Sequence, residues 1–366
     1  MRLRILYIVS DLQPSGTTAQ LKLLAAGLPR SKFEIHIAAL NAGGPAAADL
    51  ERSGAKVTVI GRRWKIDPFA FRRLRTHIKH LQPTVVHTWQ FEANTYGRTA
   101  ALAAGMRRLV TSERTIESWS IDYKWAIDRC LAHRTERMIT NSVAVRNYYV
   151  AHGLPPEKFT VIPGAAAAPP PDMVSRSDLL TEFRLPEDAK LIAYVGHLTK
   201  QKRLKELIWA IDQLKAVGVP AHFLVIGQGP RRDHLERYSW LNRIEDRVHF
   251  LGVRNDVLQF MPHFDVLWHA GDHEGQSAAV LEAMAAGVPV VAADAAGNRE
   301  LVKPNETGYL VPLDERAGFA RATLPLLEDS ALARRLGCAA KQCVEQCHRI
   351  DQLLAAYTKL YENSHS

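Results

Sequence analysis

Short β-branched runs alternate along this chain with longer stretches in which apolar residues recur at helical spacing. That alternation predicts βαβ units and parallel sheets covered on both faces. Arg4–Val9 reads as a strand, Thr17–Leu28 as a helix, Glu34–Leu40 as a strand, Pro45–Ser53 as a helix and Lys56–Ile60 as a strand. Helices at Pro68–Leu81, Phe91–Ala104 and Val143–Val150 then mix with strands at Thr84–His87, Arg108–Thr111, Arg137–Thr140 and Phe159–Ile162. The run from Pro163 to Pro171 can hold neither a helix nor a central strand and reads as a linker. The pattern restarts with strands at Leu191–Val195, His222–Ile226, Arg247–Phe250, Val266–Trp268 and Pro289–Ala292. Helices at Arg203–Val217, Pro230–Leu241 and Ser277–Ala286 separate most of them, and from Glu315 the tail is helical almost to its end. The expectation is α/β: two Rossmann-like, doubly wound domains, 1–165 and 190–348, joined by 166–189 and facing across a cleft. Ligands of open α/β sheets sit outside the carboxyl ends of the strands, which makes that cleft the expected site.

Composition narrows the picture. The 366 residues suffice for two domains, and 47% hydrophobic with 23% charged residues excludes wholesale disorder, collagen and a coiled-coil rod. No apolar run approaches the roughly 18–20 residues of a spanning helix. The apolar run Ile5–Val9, ended by Asp11, is too short for a signal peptide. Four cysteines make no disulfide scaffold, so a cytoplasmic location is expected. The net charge of +9 is unevenly spread: Met1–Asp172 holds 24 Lys+Arg against 13 Asp+Glu. It is densest where Arg62, Arg63, Lys65, Arg72, Arg73, Arg75 and Lys79 face only Asp67. Such a face either meets polyanions or anionic lipid or is simply solvated.

Candidate chemistry concentrates after the linker. From Phe264 to Asp294 a strand leads into a loop with Glu274 and Gly275, and a helix from about Ser277 carries Glu282. The amides of Gly275, Gln276, Ser277 and Ala278 stand at a helix N-terminus, which suits phosphate, while the carboxylates suit sugar hydroxyls. A ligand that is both phosphate and sugar fits both. Gly196 follows a strand and precedes Lys200, Lys202 and Arg203, cations suited to a departing diphosphate. Gly16 before the first helix and the turn Gly227-Gln228-Gly229 are weaker signals of the same kind. Cys338, Cys343 and Cys347 lack paired metal-binding spacing and read as buried reduced thiols. Trp64, Trp89, Trp119 and Trp125 lie in the basic half, mostly as core, some as lining of an acceptor groove or a membrane contact.

Gly196-His197-Leu198 with Lys202, then Glu274-x7-Glu282 and LEAMAAGVPVVA, resemble the retaining GT-B glycosyltransferases of family 4 (group 1). Val85–Trp89, Val110–Arg114, Thr140–Ser142 and Gly308–Val311 extend the resemblance over nearly the whole chain. It implies transfer of a hexose from a nucleotide-diphosphate sugar to a hydroxyl acceptor, a glycan or lipid-linked glycan in polysaccharide or glycolipid synthesis. It further implies that Glu282 holds the ribose diol and that Glu274 with Gly275, Gln276 and Ser277 holds the donor sugar. Lys202 would neutralise the diphosphate, helped by Gly16 and the helix start near Ala278. Val253 would lie near the base, and Gly196 and His197 would border the donor. His87 would face the acceptor and the reacting sugar; its plain alternative is an ordinary strand-end histidine. The terminal helix, within 349–366, would return to the first domain. No Asp-x-Asp stands where it would hold a cation, so neither an essential metal nor a further cofactor is expected, and no nucleic-acid partner. The basic first half would bring the protein peripherally to an anionic inner membrane face. The sequence departs from the family pattern at His197 (usually Arg), at Pro163-Gly164-Ala165 (usually Pro-Asn-Gly) and at the single Gly16. A non-catalytic sugar-nucleotide-binding scaffold and a sugar-nucleotide epimerase are the alternatives.

Overall fold

The computed structural model describes residues 2–116, 122–170 and 173–362. The chain forms two compact units, one running to Gly164 and resuming at Ile350, the other running from Ala165 to Arg349.

The first unit alternates β1 (Leu3–Val9), α1 (Gly16–Gly27), β2 (Phe33–Ala39), α2 (Ala46–Arg52), β3 (Lys56–Val59), α3 (Pro68–Leu81), β4 (Val85–Trp89) and α4 (Gln90–Ala103). It continues with β5 (Leu109–Glu113), α5 (Asp122–Ala132), β6 (Arg137–Thr140), α6 (Val143–Ala151) and β7 (Phe159–Val161). The seven strands lie parallel in the order β3-β2-β1-β4-β5-β6-β7. Tyr7 is thereby flanked by Ile37 and His87. β4 and β5 are buried along their whole length although they carry His87, Thr88, Thr111, Ser112 and Glu113. α3 shows the helical logic plainly. Asp67 caps it by accepting from Ala70 N at 2.9 Å, Pro68 opens it, and Ala70, Leu74 and Ile78 form its buried stripe.

The second unit contains α7 (Arg176–Glu182), β8 (Lys190–Val195), α8 (Leu204–Ala216), β9 (Ala221–Ile226), α9 (Arg232–Leu241), β10 (Val248–Gly252) and α10 (Val257–Phe260). It ends with β11 (Val266–His269), α11 (Ala278–Ala285), β12 (Val290–Ala293), α12 (Ala296–Arg299), β13 (Gly308–Val311), α13 (Gly318–Glu328) and α14 (Ser330–Cys347). Its six strands are parallel in the order β10-β9-β8-β11-β12-β13. The final helix α15 (Ile350–Glu362) belongs to the first unit. Its stripe of Leu353, Tyr357 and Tyr361, spaced by four, is buried there. The Tyr361 hydroxyl donates to Tyr7 Oη at 2.9 Å, and Arg108 donates to the Tyr361 carbonyl at 3.1 Å.

Two expectations need correction. The segment 166–189 is not all linker, because α7 lies within it and buries Leu179 and Leu180 in the core of the second unit. Ser175 Oγ accepts from Asp178 N at 3.1 Å, and Arg176 donates to Asp265 at 2.9 Å. A capping serine three residues before an aspartate was the signal that the proline run obscured. The late cysteines are not buried: α14 turns Leu336, Gly337, Ala340 and Val344 inward, leaving Cys338 and Cys347 exposed and Cys343 half-buried. They are free thiols.

α5, which the alternation did not reveal, supplies Asp128 to a buried ion pair with Arg98 on α4. Arg98 also donates to Thr135 Oγ1 at 3.3 Å and to the Asn94 carbonyl at 2.8 Å. Removing one partner leaves an uncompensated buried charge. Asp128→Ala should therefore destabilise the first unit by about 3–5 kcal/mol, read from the shift in its urea unfolding transition.

Candidate functional site

In the second unit the strand order reverses between β8 and β11, so the chain leaves these neighbouring strands toward opposite faces. In open α/β sheets such a reversal marks the ligand-binding crevice, at the carboxyl ends of the two strands. Apart from Gly16, the sequence-predicted donor residues fall on the segments that follow β8, β10 and β11.

After β8, Gly196 turns the chain, and Tyr194, buried at the strand end, donates its hydroxyl to the His197 carbonyl at 2.9 Å. This fixes the backbone of His197 while its ring stands exposed. A short 3-10 turn carries Lys200 and Lys202, and Arg203 sits at φ 53 to start α8. The Arg203 guanidinium is occupied by Glu206 at 2.7 Å and by the Leu313 carbonyl, so it braces the loop. Lys200 is exposed, whereas the Lys202 ammonium reaches the loop after β11.

That second loop carries Glu274, buried, whose Oε1 pairs with Lys202 Nζ. Asp272 N donates to the Gln201 carbonyl at 3.3 Å, tying the two loops by backbone as well. Burial alone would raise the Glu274 pKa, but the adjacent Lys202 ammonium outweighs it and holds the carboxyl below its ordinary value. Space for this arrangement depends on two glycines. A Cβ at Gly271 would strike the Glu274 carboxylate, and one at Gly297, in α12, would strike the Gly275 and Glu274 carbonyls. Buried Asn298 donates to the Ala293 carbonyl at 2.9 Å beneath the same loop. His269 ends β11 with its Nε2 3.9 Å from Glu274 and, among the described residues, no hydrogen bond to either ring nitrogen. Burial pushes it down to about 4, so it is neutral. The sequence reading did not select His269, Gly271, Gly297, Asn298 or Tyr194. Only the position of His269 at a strand end just before the loop could have suggested it.

Gly275, Gln276 and Ser277 are buried where the loop enters α11. Ser277 is the N-cap residue but makes no capping hydrogen bond with its side chain. The amides at Ala278 and beyond therefore remain available to an outside acceptor. Glu282 lies one helical turn further in and is half-buried, its carboxylate without a hydrogen-bond or ion-pair partner among the described residues. Burial raises its pKa to about 7. Val253, just past the turn at Gly252 that ends β10, is exposed.

Gly16 and His87 belong to the first unit. Gly16 opens α1, whose cap is Ser15 Oγ accepting from Thr18 N at 3.1 Å. His87 is not placed to face a substrate. It is fully buried and bonded at both nitrogens, Nδ1 to Tyr361 Oη at 2.7 Å and Nε2 to Ser112 Oγ at 2.8 Å. Because Tyr361 gives its hydrogen to Tyr7, Nδ1 is the donor and Nε2 the acceptor of a neutral ring. Burial pushes its pKa down to about 3, and Tyr357 stacks on it at 5.9 Å. The plain alternative holds, because α15, remote in sequence, covers this strand end. Trp89 and Trp125 are likewise buried, Trp64 is exposed, and Trp119 lies outside the described residues.

The family model for Glycosyltransferase Family 4 matches residues 14–166, and that for Glycosyl transferases group 1 matches 175–343. This chain belongs to the family 4 (group 1) glycosyltransferases, whose fold is GT-B. Among its relatives is N-acetyl-alpha-D-glucosaminyl L-malate synthase of Bacillus anthracis, 28% identical over 50% of this chain. The match spans about half (48%) of that relative's length. A lipopolysaccharide core biosynthesis glycosyltransferase, LpsD of Rhizobium meliloti, is 24% identical over 86% of this chain and 85% of its own. In fold, the family 4 chain resembles Anabaena HepE, solved in complex with UDP-glucose, with a TM-score of 0.87, 22% identity and coverage of 99% and 100%.

The raised pKa of Glu282 has a testable sign. Below the ordinary glutamate value of 4.5 both folded and unfolded chains hold the proton. Between 4.5 and about 7 only the folded chain does, so stability falls as pH rises through this window and then levels off. Glu282→Gln should be the more stable protein at pH 8 by about 2–3 kcal/mol, with no difference at pH 4. Urea titrations at the two pH values measure this.

Proposed function

We propose that this family 4 glycosyltransferase moves a hexose from a nucleotide-diphosphate sugar to a hydroxyl of a glycan or lipid-linked glycan, with retention of anomeric configuration. The observation that carries the reading is the Lys202–Glu274 pair at the reversal point of the second sheet, followed in α11 by half-buried Glu282, whose carboxylate has no partner among the described residues. A ligand bearing both a diphosphate and hydroxyls satisfies all three groups at once. Phosphate oxygens meet Lys202 and the α11 amides, sugar hydroxyls meet Glu274 with Gly275, Gln276 and Ser277, and a ribose diol meets Glu282. Gly196 and His197 border this donor, and Val253 lies toward the base. HepE was solved with UDP-glucose, and LpsD is named for lipopolysaccharide core synthesis. Both fit a sugar-nucleotide donor and a glycan acceptor.

In the transfer, the bond between the sugar's anomeric carbon and the diphosphate oxygen breaks through an oxocarbenium-like state. The acceptor oxygen bonds on the same face, and its proton passes to a leaving phosphate oxygen. Charge grows on the diphosphate as the bond breaks, and a fixed ammonium aimed at it stabilises that state most. Lys202 supplies that charge, so the reading requires no metal ion. His197 adds no permanent cation where the family usually carries arginine.

Lys202→Ala should lower turnover of the accepted UDP-, GDP- or ADP-sugar by about 10²–10³-fold, the size of effect seen when one charge-stabilising group is lost. Glu282→Ala should weaken donor binding, read by thermal shift across that donor panel. Binding with no transfer to any acceptor would favour the scaffold alternative, and donor conversion without acceptor would favour an epimerase. Near-normal turnover by Lys202→Ala would refute the role given to Lys202.

A further inference from the structure

The densest charge in the chain lies far from the donor loops in sequence, and the structure sorts its members. Arg62 is tied to Asn41 at 2.8 Å and to Glu92 at 2.6 Å, with its side chain largely covered. Arg73 braces the Ile60 and Gly61 carbonyls at 2.8 Å each, and Arg75 donates to the Ala103 carbonyl at 2.8 Å. These three serve the fold. Arg63, Lys65 and Arg72 are exposed and make no hydrogen bond or ion pair with any described residue through their side chains. The one acidic residue of the run, Asp67, is buried as the cap of α3 and also accepts from Arg63 N at 3.1 Å. Its charge is spent on backbone amides, so the exposed charged side chains of this run are all cationic.

Among these cations stand three large apolar side chains with no core to enter. Trp64 is 61%, Ile66 87% and Phe69 70% exposed. They occupy the loop into α3 and its first turn, opposite the buried stripe of Ala70, Leu74 and Ile78. Phe69 separates two hollows, one lined by Arg72, Thr76 and His80, the other by Arg63, Trp64 and Arg73. Solvent alone gives no reason for tryptophan, isoleucine and phenylalanine to project together. Apolar tips within a cationic ring match the boundary of an anionic bilayer, where acyl chains lie just below negatively charged head groups.

We infer that the loop carrying Trp64 and Ile66, with Phe69 at the start of α3, inserts into the head-group region of an anionic membrane while Arg63, Lys65 and Arg72 contact lipid phosphates. This gives the first unit a peripheral membrane-docking tip. Among the described residues no helix is long and apolar enough to cross a membrane, so such a tip would hold the protein reversibly. The inference is independent of the donor site and is read without turnover.

The test is co-sedimentation of the full chain with vesicles of phosphatidylcholine alone or with one third phosphatidylglycerol. Anionic vesicles should bind the protein about tenfold better than neutral ones, and the difference should shrink as salt rises from about 0.1 to about 0.5 M. Ile66→Asp, at a side chain that touches little, should cut binding to anionic vesicles about tenfold while leaving the melting temperature and donor thermal shifts unchanged. Lys65→Glu with Arg72→Glu should do the same. Equal binding to both vesicles, or undiminished binding by Ile66→Asp, would overturn the inference. Dimerisation abolished by Ile66→Asp, without vesicle binding, would assign the face to a second copy of the chain instead.

Discussion

A lysine and a glutamate, each costly to bury alone, meet where two loops leave neighbouring strands in opposite directions. Lys202 and Glu274 compensate one another, and the rest of the site is arranged so that they can. Gly271 makes room for the carboxylate, and Gly297 lets α12 approach the loop backbone. Tyr194 and Asn298 pin the carbonyls on either side, at His197 and Ala293. A phosphate at Lys202 would compete with Glu274 for the ammonium, and a hydroxyl donating to Glu274 would replace the hydrogen bond the carboxylate gives up but not the charge.

The two glutamates of the motif are chemically unlike although eight residues apart in one segment. Glu274 is held ionised by its lysine, whereas Glu282 has only its burial, which favours the neutral form. A diol donating two hydrogen bonds to Glu282 would favour ionisation and lower its pKa. Binding would then be linked to proton release near neutral pH. The ligand-free protein thus carries a desolvation cost at Glu282 that a suitable hydroxyl pair would offset.

Much of this was legible in the sequence because it is local. The alternation of apolar runs located most of the strands, with ends shifted by one or two residues. Glu274, Glu282 and Lys202 could be singled out because glycine, carboxylate and helix-start signals fall within short segments. What escaped was set by distant residues. His87 sits at a strand end, as substrate-facing residues do, but a helix some 270 positions later turned it into core (Tyr361 lies 274 residues away). Arg203 stands beside Lys202 in sequence, but the Leu313 carbonyl, more than a hundred residues on, occupies it. α7 was hidden by the proline run before it, and α5 shows its importance only through the partner that Asp128 finds on α4. The basic run was visible as composition, yet which of its arginines brace the fold could not be read without their carbonyl partners.

The buried network around His87 also bears on how the first unit is built. Tyr7, His87, Ser112 and Tyr361 come from β1, β4, β5 and α15, so the centre of this sheet is closed by the last helix of the chain. Until α15 docks, the His87 ring lacks its Nδ1 acceptor, and the aromatic surface of Tyr7 loses the ring of Tyr361 that packs edge-on against it at 6.4 Å. Gly27 in α1 is shaped to the same end, since any larger residue would collide with Leu354. Because the whole second unit lies between Gly164 and Ile350 in the chain, residues 1–164 lack the helix that completes their core until the second unit has been synthesised. The docking of α15 is made specific by hydrogen bonds together with aromatic contacts, because each hydrogen-bond partner must meet its mate in one geometry while an apolar stripe alone would fit many surfaces.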